Sequence, residues 1–145
     1  MFQKSLWGRW KILEDWRIKV SALWLIFDVA GLVAVALMFM EPGVVTELAE
    51  EGTIAGTRLG PEMLLAGAVT LMTPLVMAFL SLVLKDKINR WANIVVGVVH
   101  IVLGVADFAD PRAAELPAYA ILVTVSQFVV AALIIWYAWK SKQKA

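Results

Sequence analysis

Four runs of apolar residues, each long enough to cross a lipid bilayer, constrain this chain more than any other feature. A spanning helix needs about 20 mostly apolar residues, because the hydrocarbon core is about 30 Å thick and each helical residue rises about 1.5 Å. Residues 20–40 form one such run, broken by a single charge, Asp28. Residues 63–84 and 116–139 carry no charge, and residues 88–106 carry only Arg90, near their start. Each run must be a helix, since an open strand would leave backbone N–H and C=O groups without partners in lipid. The expected fold is therefore all-α, a polytopic membrane protein built as a bundle of four transmembrane helices. Of 145 residues, 61% are hydrophobic and 17% charged, against about 45–50% apolar in soluble domains, which excludes a soluble enzyme as the default. The absence of cysteine removes disulfides, thiol nucleophiles and thiolate metal sites.

The charges sort by segment. Residues 1–19 hold Lys4, Arg9, Lys11, Arg17 and Lys19, the second connection holds Lys85, Lys87 and Arg90, and the tail holds Lys140, Lys142 and Lys144. These are eleven of the thirteen basic residues; only Arg58 and Arg112 fall in the other two connections, beside eight acids. The positive-inside rule places both termini and the second connection in the cytoplasm of a cell whose inner membrane the chain crosses. Trp7, Trp10, Trp16, Trp24, Trp91, Trp136 and Trp139 fall at or near that same boundary, where an amphipathic indole prefers to sit.

Within residues 1–19, Leu6, Trp7, Trp10, Leu13 and Trp16 recur at roughly helical spacing between the basic side chains. This reads as a basic amphipathic helix lying on the inner leaflet, anchored there or recognising anionic lipid. Residues 140–145 form a basic cytoplasmic tail. In the long first connection, residues 44–51 read as a short amphipathic helix with an acidic face. Its Glu47, Glu50 and Glu51 are oxygen ligands of the kind a hard cation takes, but they lack the spacing of a calcium loop and read better as a solvated face.

Positions three and four apart share a helix face. At that spacing the spans carry Ser21, Trp24, Asp28 and Gly31; Gly67, Thr70, Pro74, Met77 and Ser81; Asn93, Gly97, His100, Gly104 and Asp107; and Pro117, Ala120, Thr124, Gln127 and Ala131. Membrane helices associate through small residues and interhelical hydrogen bonds, so these stripes are expected to converge while the aliphatic faces meet lipid. A repeat averaging 3.5 residues implies left-handed crossing. Pro74 frees a carbonyl that the Thr70 or Thr73 hydroxyl is expected to satisfy.

By residue count His100 and Gln127 lie about 18 Å from the inner boundary and Asp28 about 12 Å, with Thr70, Thr73 and Thr124 close by. An ionised carboxylate near the bilayer centre costs about 2.5–3.5 kcal/mol on insertion scales, so it is rarely there without a partner or a task. Asp28 is expected to be a protonatable site, a ligand for a cationic or hydrogen-bonding molecule, or interhelical glue held by His100, Gln127 or Trp24. A Ser126–His100–Asp28 arrangement is the one nucleophilic reading, and nothing local supports it. One histidine is a weak metal or haem set, so no cofactor is expected, and no nucleic acid, since the bases lie at a membrane surface.

Several stretches carry a resemblance: Leu13-Glu14-Asp15 through Lys19 with Ser21-Ala22-Leu23-Trp24-Leu25, Glu41-Pro42-Gly43, Leu80-Ser81 to Leu84-Lys85, Asn89-Arg90-Trp91-Ala92-Asn93-Ile94, and Ile134-Ile135-Trp136-Tyr137-Ala138-Trp139-Lys140. Together they resemble a family of small prokaryotic four-helix integral membrane proteins known only as a domain of unknown function. The resemblance implies class and topology and carries no activity. Two functions lead, with an enzyme acting on a lipid as a third. One is a proton-linked small transporter or transport-associated subunit, a homo-oligomer with an intramembrane Asp28/His100 site. The other is a non-catalytic module binding a lipid, a quinone or a partner membrane protein.

Overall fold

The computed structural model describes residues 15–111 and 115–141. Long helix α1 (Trp16–Phe39) leads to a short helix α2 (Val44–Glu51) and a two-stranded hairpin, β1 (Thr53–Ile54) with β2 (Thr57–Arg58). Three further long helices follow: α3 (Pro61–Val83), α4 (Asp86–Ala109) and α5 (Ala118–Lys140). The four long helices are each apolar and long enough to cross a membrane, which makes the chain a multi-pass membrane protein by length and composition.

Local signals set the helix ends. The Asp15 carboxylate accepts from the Arg17 N–H at 3.0 Å and caps α1, so residues 16–19, assigned from sequence to a surface helix, continue into the first long helix. The expected helix over residues 1–14, with Trp7 and Trp10, lies outside the described residues. Pro61 opens α3 at the position where its missing N–H costs nothing. The hairpin was not foreseen. Ala55 and Gly56 both have positive φ, 51° and 70°, and such a two-residue turn matches the twist of paired strands.

α1 packs along α3 on one side and α5 on the other, and α5 packs along α4. α3 and α4 touch little although only Leu84 and Lys85 separate them. The ring of four is thus closed on three sides and slack on the fourth. Burial is one-ended. The buried residues of α1 fall between Val20 and Phe27, those of α3 between Pro74 and Ser81, those of α4 between Asn89 and Gly97, and those of α5 between Ala131 and Ala138. All lie in the halves nearest the termini and the α3–α4 turn. At the opposite end every residue from 61 to 70 of α3 is exposed. Of the expected stripes, Ser21, Trp24, Pro74, Met77, Ser81, Asn93, Gly97 and Ala131 are buried, whereas Gly67, Thr70 and Asp107 are exposed, so the stripes converge only toward the terminal end.

A polar cluster ties that end together. Trp24 Nε1 donates to Asn93 Oδ1 at 2.6 Å, and the Ser81 hydroxyl approaches the same oxygen at 3.0 Å and the Met77 carbonyl at 2.7 Å. Asn93 Nδ2 donates to the carbonyl and side-chain oxygen of Asn89 at 2.8 and 2.7 Å, and Asn89 Nδ2 donates to the Ser81 carbonyl at 2.6 Å. Each of the two amide nitrogens and the indole nitrogen donates at least once, so three helices are joined with none of these nitrogens left without a partner. Trp24 is therefore not part of an interfacial belt. It is fully buried, because its N–H has found a partner inside the bundle. Arg17 adds a tie from α1 to the α3–α4 turn, its Nε donating to Asp86 Oδ1 at 2.9 Å. Between α4 and α5 the approach is close: a Cβ on Gly104 would stand 2.7 Å from Phe128 Cε1, and one on Gly97 3.0 Å from Ile135 Cγ1.

Replacing Asn93 by Ala orphans the Trp24 indole and the Asn89 side-chain oxygen in a dry site. The expected loss is about 2 kcal/mol, against about 1 kcal/mol for Trp24→Phe, which deletes one interhelical bond. Reversible unfolding in mixed micelles measures both.

Candidate functional site

One turn beyond Trp24, on the same face of α1, Asp28 stands where the packed end gives way to the open one. It is half-buried, and no hydrogen bond or ion pair reaches it from a described residue. A cavity of about 50 Å³ lies against it, walled by Phe27 and Gly31 of α1, Thr70, Leu71 and Pro74 of α3, and Gln127 of α5. Three of the residues singled out from sequence, Asp28, Thr70 and Gln127, thus share one small chamber. The Gln127 amide donates to the Phe27 carbonyl at 3.3 Å, not to Asp28.

Thr70 also walls a second, larger cleft of about 200 Å³ between α3 and α4, where those helices diverge. Its other polar residues are Thr73 and His100, and Val69, Val96, Val99 and Leu103 complete it. His100 reaches this position because α1 and α4 stand diagonally and meet through rings. The imidazole lies edge-on to Trp24, centroids 5.6 Å apart, and to Phe27 at 5.1 Å and 88°. Its Nδ1 is 2.9 Å from the Val96 carbonyl, and its Nε2 is enclosed with no hydrogen-bond partner among the described residues. Since a carbonyl only accepts, the Nδ1 contact is a bond when Nδ1 carries the proton, and the neutral ring then presents Nε2 as a bare acceptor. No hydrogen bond or ion pair joins Asp28 to His100; Thr70 is the wall between them.

The hydroxyls behave differently from the expectation. Thr70 donates to the Ala66 carbonyl at 2.9 Å and Thr73 to the Val69 carbonyl at 2.6 Å. Neither serves the Thr70 carbonyl that Pro74 deprives of its helical donor. A β-hydroxyl in a helix folds back most readily onto the carbonyl of its own preceding turn, and both threonines do so. Their single protons are spent and their oxygens remain as acceptors. Thr124 donates to the Ala120 carbonyl at 2.9 Å and lines neither cavity. Ser126 is exposed, bonded to the Leu122 carbonyl at 2.8 Å, and makes no contact with His100, which leaves the nucleophilic reading without geometry.

At the terminal end Trp91, Trp136 and Trp139 are exposed at 49%, 50% and 63%, while Trp16 packs partly against the core. The Lys140 ammonium stands over the Trp136 ring at 4.8 Å, Lys19 over Tyr137 at 5.7 Å and Arg90 over Trp91 at 5.6 Å. In the acidic connection Glu47 is a structural ligand of the hairpin: its Oε1 accepts from Thr53 Oγ at 2.7 Å and from the Gly56 N–H at 2.8 Å. Among the described residues no three side chains are grouped to hold a metal ion. The polar residues that sequence reasoning passed over are Asn89 and its bonds to Ser81 and Asn93; two asparagines four apart inside an apolar run are the signal that marks them.

No family model, no curated protein and no solved structure matches this chain.

The Gly56 N–H, then the Thr53 hydroxyl, hold the Glu47 carboxyl below its ordinary value of 4.5. A lowered folded-state value means that this carboxylate supports the hairpin above pH 4.5, and that the support is lost as pH falls through the lower folded value. The amide proton shift of Gly56, followed by NMR, is expected to titrate below pH 4.5 and to lose that step in Glu47→Gln.

Proposed function

We propose that this protein is a small proton-linked membrane transporter, or the transport-associated subunit of one, with Asp28 as its protonatable group. The observation that carries the reading is that no described residue bonds Asp28, which lines a chamber shared with Thr70 and Gln127. A carboxylate serving as interhelical glue would be bonded to the side chain it glues, and here that task belongs to Asn93, Asn89, Ser81 and Trp24 instead. A costly intramembrane carboxylate with no structural bond is left with a functional account. The closed terminal end and the slack α3–α4 side support the same reading, because a transport site needs one sealed side and one accessible side at a time.

In this proposal the bundle crosses the inner membrane with left-handed packing and both termini cytoplasmic. The basic residues among 1–19 meet anionic lipid of the inner leaflet, as do the Lys140–Trp136, Lys19–Tyr137 and Arg90–Trp91 pairs. Protonated Asp28 lowers the cost of crossing the hydrocarbon core, and the ionised form favours a bound cation nearby, so proton and solute alternate. His100 acts on the cleft side, through Thr70. Homo-oligomerisation, and membership of the four-helix family that the sequence resembles, belong to the same proposal. The alternative of a passive module that binds a quinone is disfavoured by the lining: a quinone only accepts hydrogen bonds, and the threonine protons and the His100 Nδ1 proton are already committed to backbone carbonyls.

Proteoliposomes holding an imposed pH gradient test the reading against a panel of cationic, zwitterionic and neutral solutes. At least one solute is expected to collapse the gradient faster than in protein-free liposomes, and Asp28→Asn is expected to lose that excess while eluting as the same species on size exclusion. If no solute does so, or if Asp28→Asn retains the excess, the reading is wrong. If Asp28→Asn fails to assemble, Asp28 is glue after all.

A further inference from the structure

We infer that the cleft between α3 and α4 binds a small organic ammonium ion, one with an apolar body and at least one N–H, and that the N–H is what the site recognises. The assignment rests on the reading of Asp28 as the transport carboxylate and names the solute class for it.

The argument is an inventory of donors and acceptors. Thr70 Oγ and Thr73 Oγ have given their protons to the Ala66 and Val69 carbonyls, and each oxygen keeps capacity to accept. His100 Nδ1 is committed to Val96, which leaves enclosed Nε2 as an acceptor with nothing to accept. The Thr70 carbonyl has lost its helical donor to Pro74. Beyond Thr70, Asp28 supplies negative charge, and its chamber holds no other titratable or charged side chain. The one side chain with donating capacity is Gln127, and its Nε2 leans on the Phe27 carbonyl. A site so rich in unsatisfied acceptors selects a molecule that brings donors, and the nearby carboxylate selects positive charge among them.

The remaining walls set the other half of the ligand. Three valines and a leucine line the cleft beside those acceptors, and about 200 Å³ suits a single ring or a short branched chain better than a lipid tail. The cleft lies on the slack side of the bundle at membrane depth, so such a molecule reaches it from the hydrocarbon, into which its apolar body partitions. Quaternary ammonium ions fit the charge and fail the acceptors, which is the distinction the experiment uses.

The test is equilibrium binding of radiolabelled benzylamine to the full-length protein in nanodiscs, corrected with empty nanodiscs. Competition is by benzyltrimethylammonium, a cation without N–H, and by acetophenone, a neutral acceptor of similar size. Saturable binding is expected, with benzyltrimethylammonium weaker by about tenfold or more, the worth of a hydrogen bond to a charged group, and acetophenone without effect. His100→Phe keeps the edge-on ring packing against Trp24 and Phe27 but removes Nε2, and Thr73→Val removes an exposed hydroxyl. Each is expected to weaken benzylamine about tenfold while leaving benzyltrimethylammonium unchanged. Equal affinity for the quaternary ion, competition by acetophenone, or no saturable benzylamine binding overturns the assignment. Saturable, N–H-dependent binding without proton movement in proteoliposomes leaves the ligand class standing and removes the transport reading.

Discussion

Asn93 holds the bundle at the point where three helices meet. Its carbonyl oxygen takes the Trp24 indole proton from α1 and a share of the Ser81 proton from α3, and its amide turns back onto Asn89 in its own helix. In lipid, no hydrophobic force distinguishes one aliphatic helix face from another, so the register of four greasy helices depends on groups like these. The cluster also fixes which tryptophan is structural. Trp24 is inside because Asn93 is, whereas Trp91 and Trp136 stay at the surface beside Arg90 and Lys140, and Trp139 is exposed.

The position of that tie, near one end, decides the shape of the rest. The small residues that let α4 approach α5 continue along the full contact, Gly97 and Gly104 both meeting side chains of the partner helix. α3 and α4 have no such continuation beyond Ser81 and Asn89, and they part. The aromatic group of Trp24, Phe27 and His100 fills the diagonal between α1 and α4. What remains unfilled is the cleft at Thr73 and His100 and the chamber at Asp28. Both cavities sit directly above the packed end, so the closed end and the open α3–α4 side follow from one uneven distribution of packing.

The four long helices were legible in the sequence because hydrocarbon thickness is an external ruler, and charge-free runs of the right length have few other meanings. The stripe containing Asp28, Thr70, His100 and Gln127 was legible for the same reason that any helix face is, through its 3.6-residue period. Three things were not. Which polar residues hold the bundle together required knowing who bonds whom, and only distances separate Asn93, bonded to Trp24, Ser81 and Asn89, from Asp28, to which no described residue is bonded. The destinations of the threonine hydroxyls depend on local backbone competition, which favoured the carbonyls of Ala66 and Val69 over the one freed by Pro74. The hairpin at 53–58 rests on two consecutive positive φ angles, and an Ala-Gly pair announces such a turn less clearly than Asn-Gly does. Thr124, on the expected stripe, faces neither cavity, since a stripe names a face and not a depth.

The central claim is that a cationic solute bound in the cleft displaces the proton of Asp28 across the Thr70 wall, and proton release on binding tests it most directly. Benzylamine is added to lightly buffered protein in nanodiscs, and the protons freed per bound molecule are counted with a pH indicator across the pH range in which gradient collapse is observed. The account expects about one proton released per molecule bound, and none in Asp28→Asn. Binding by the wild-type protein with no proton release at any pH in that range would contradict it.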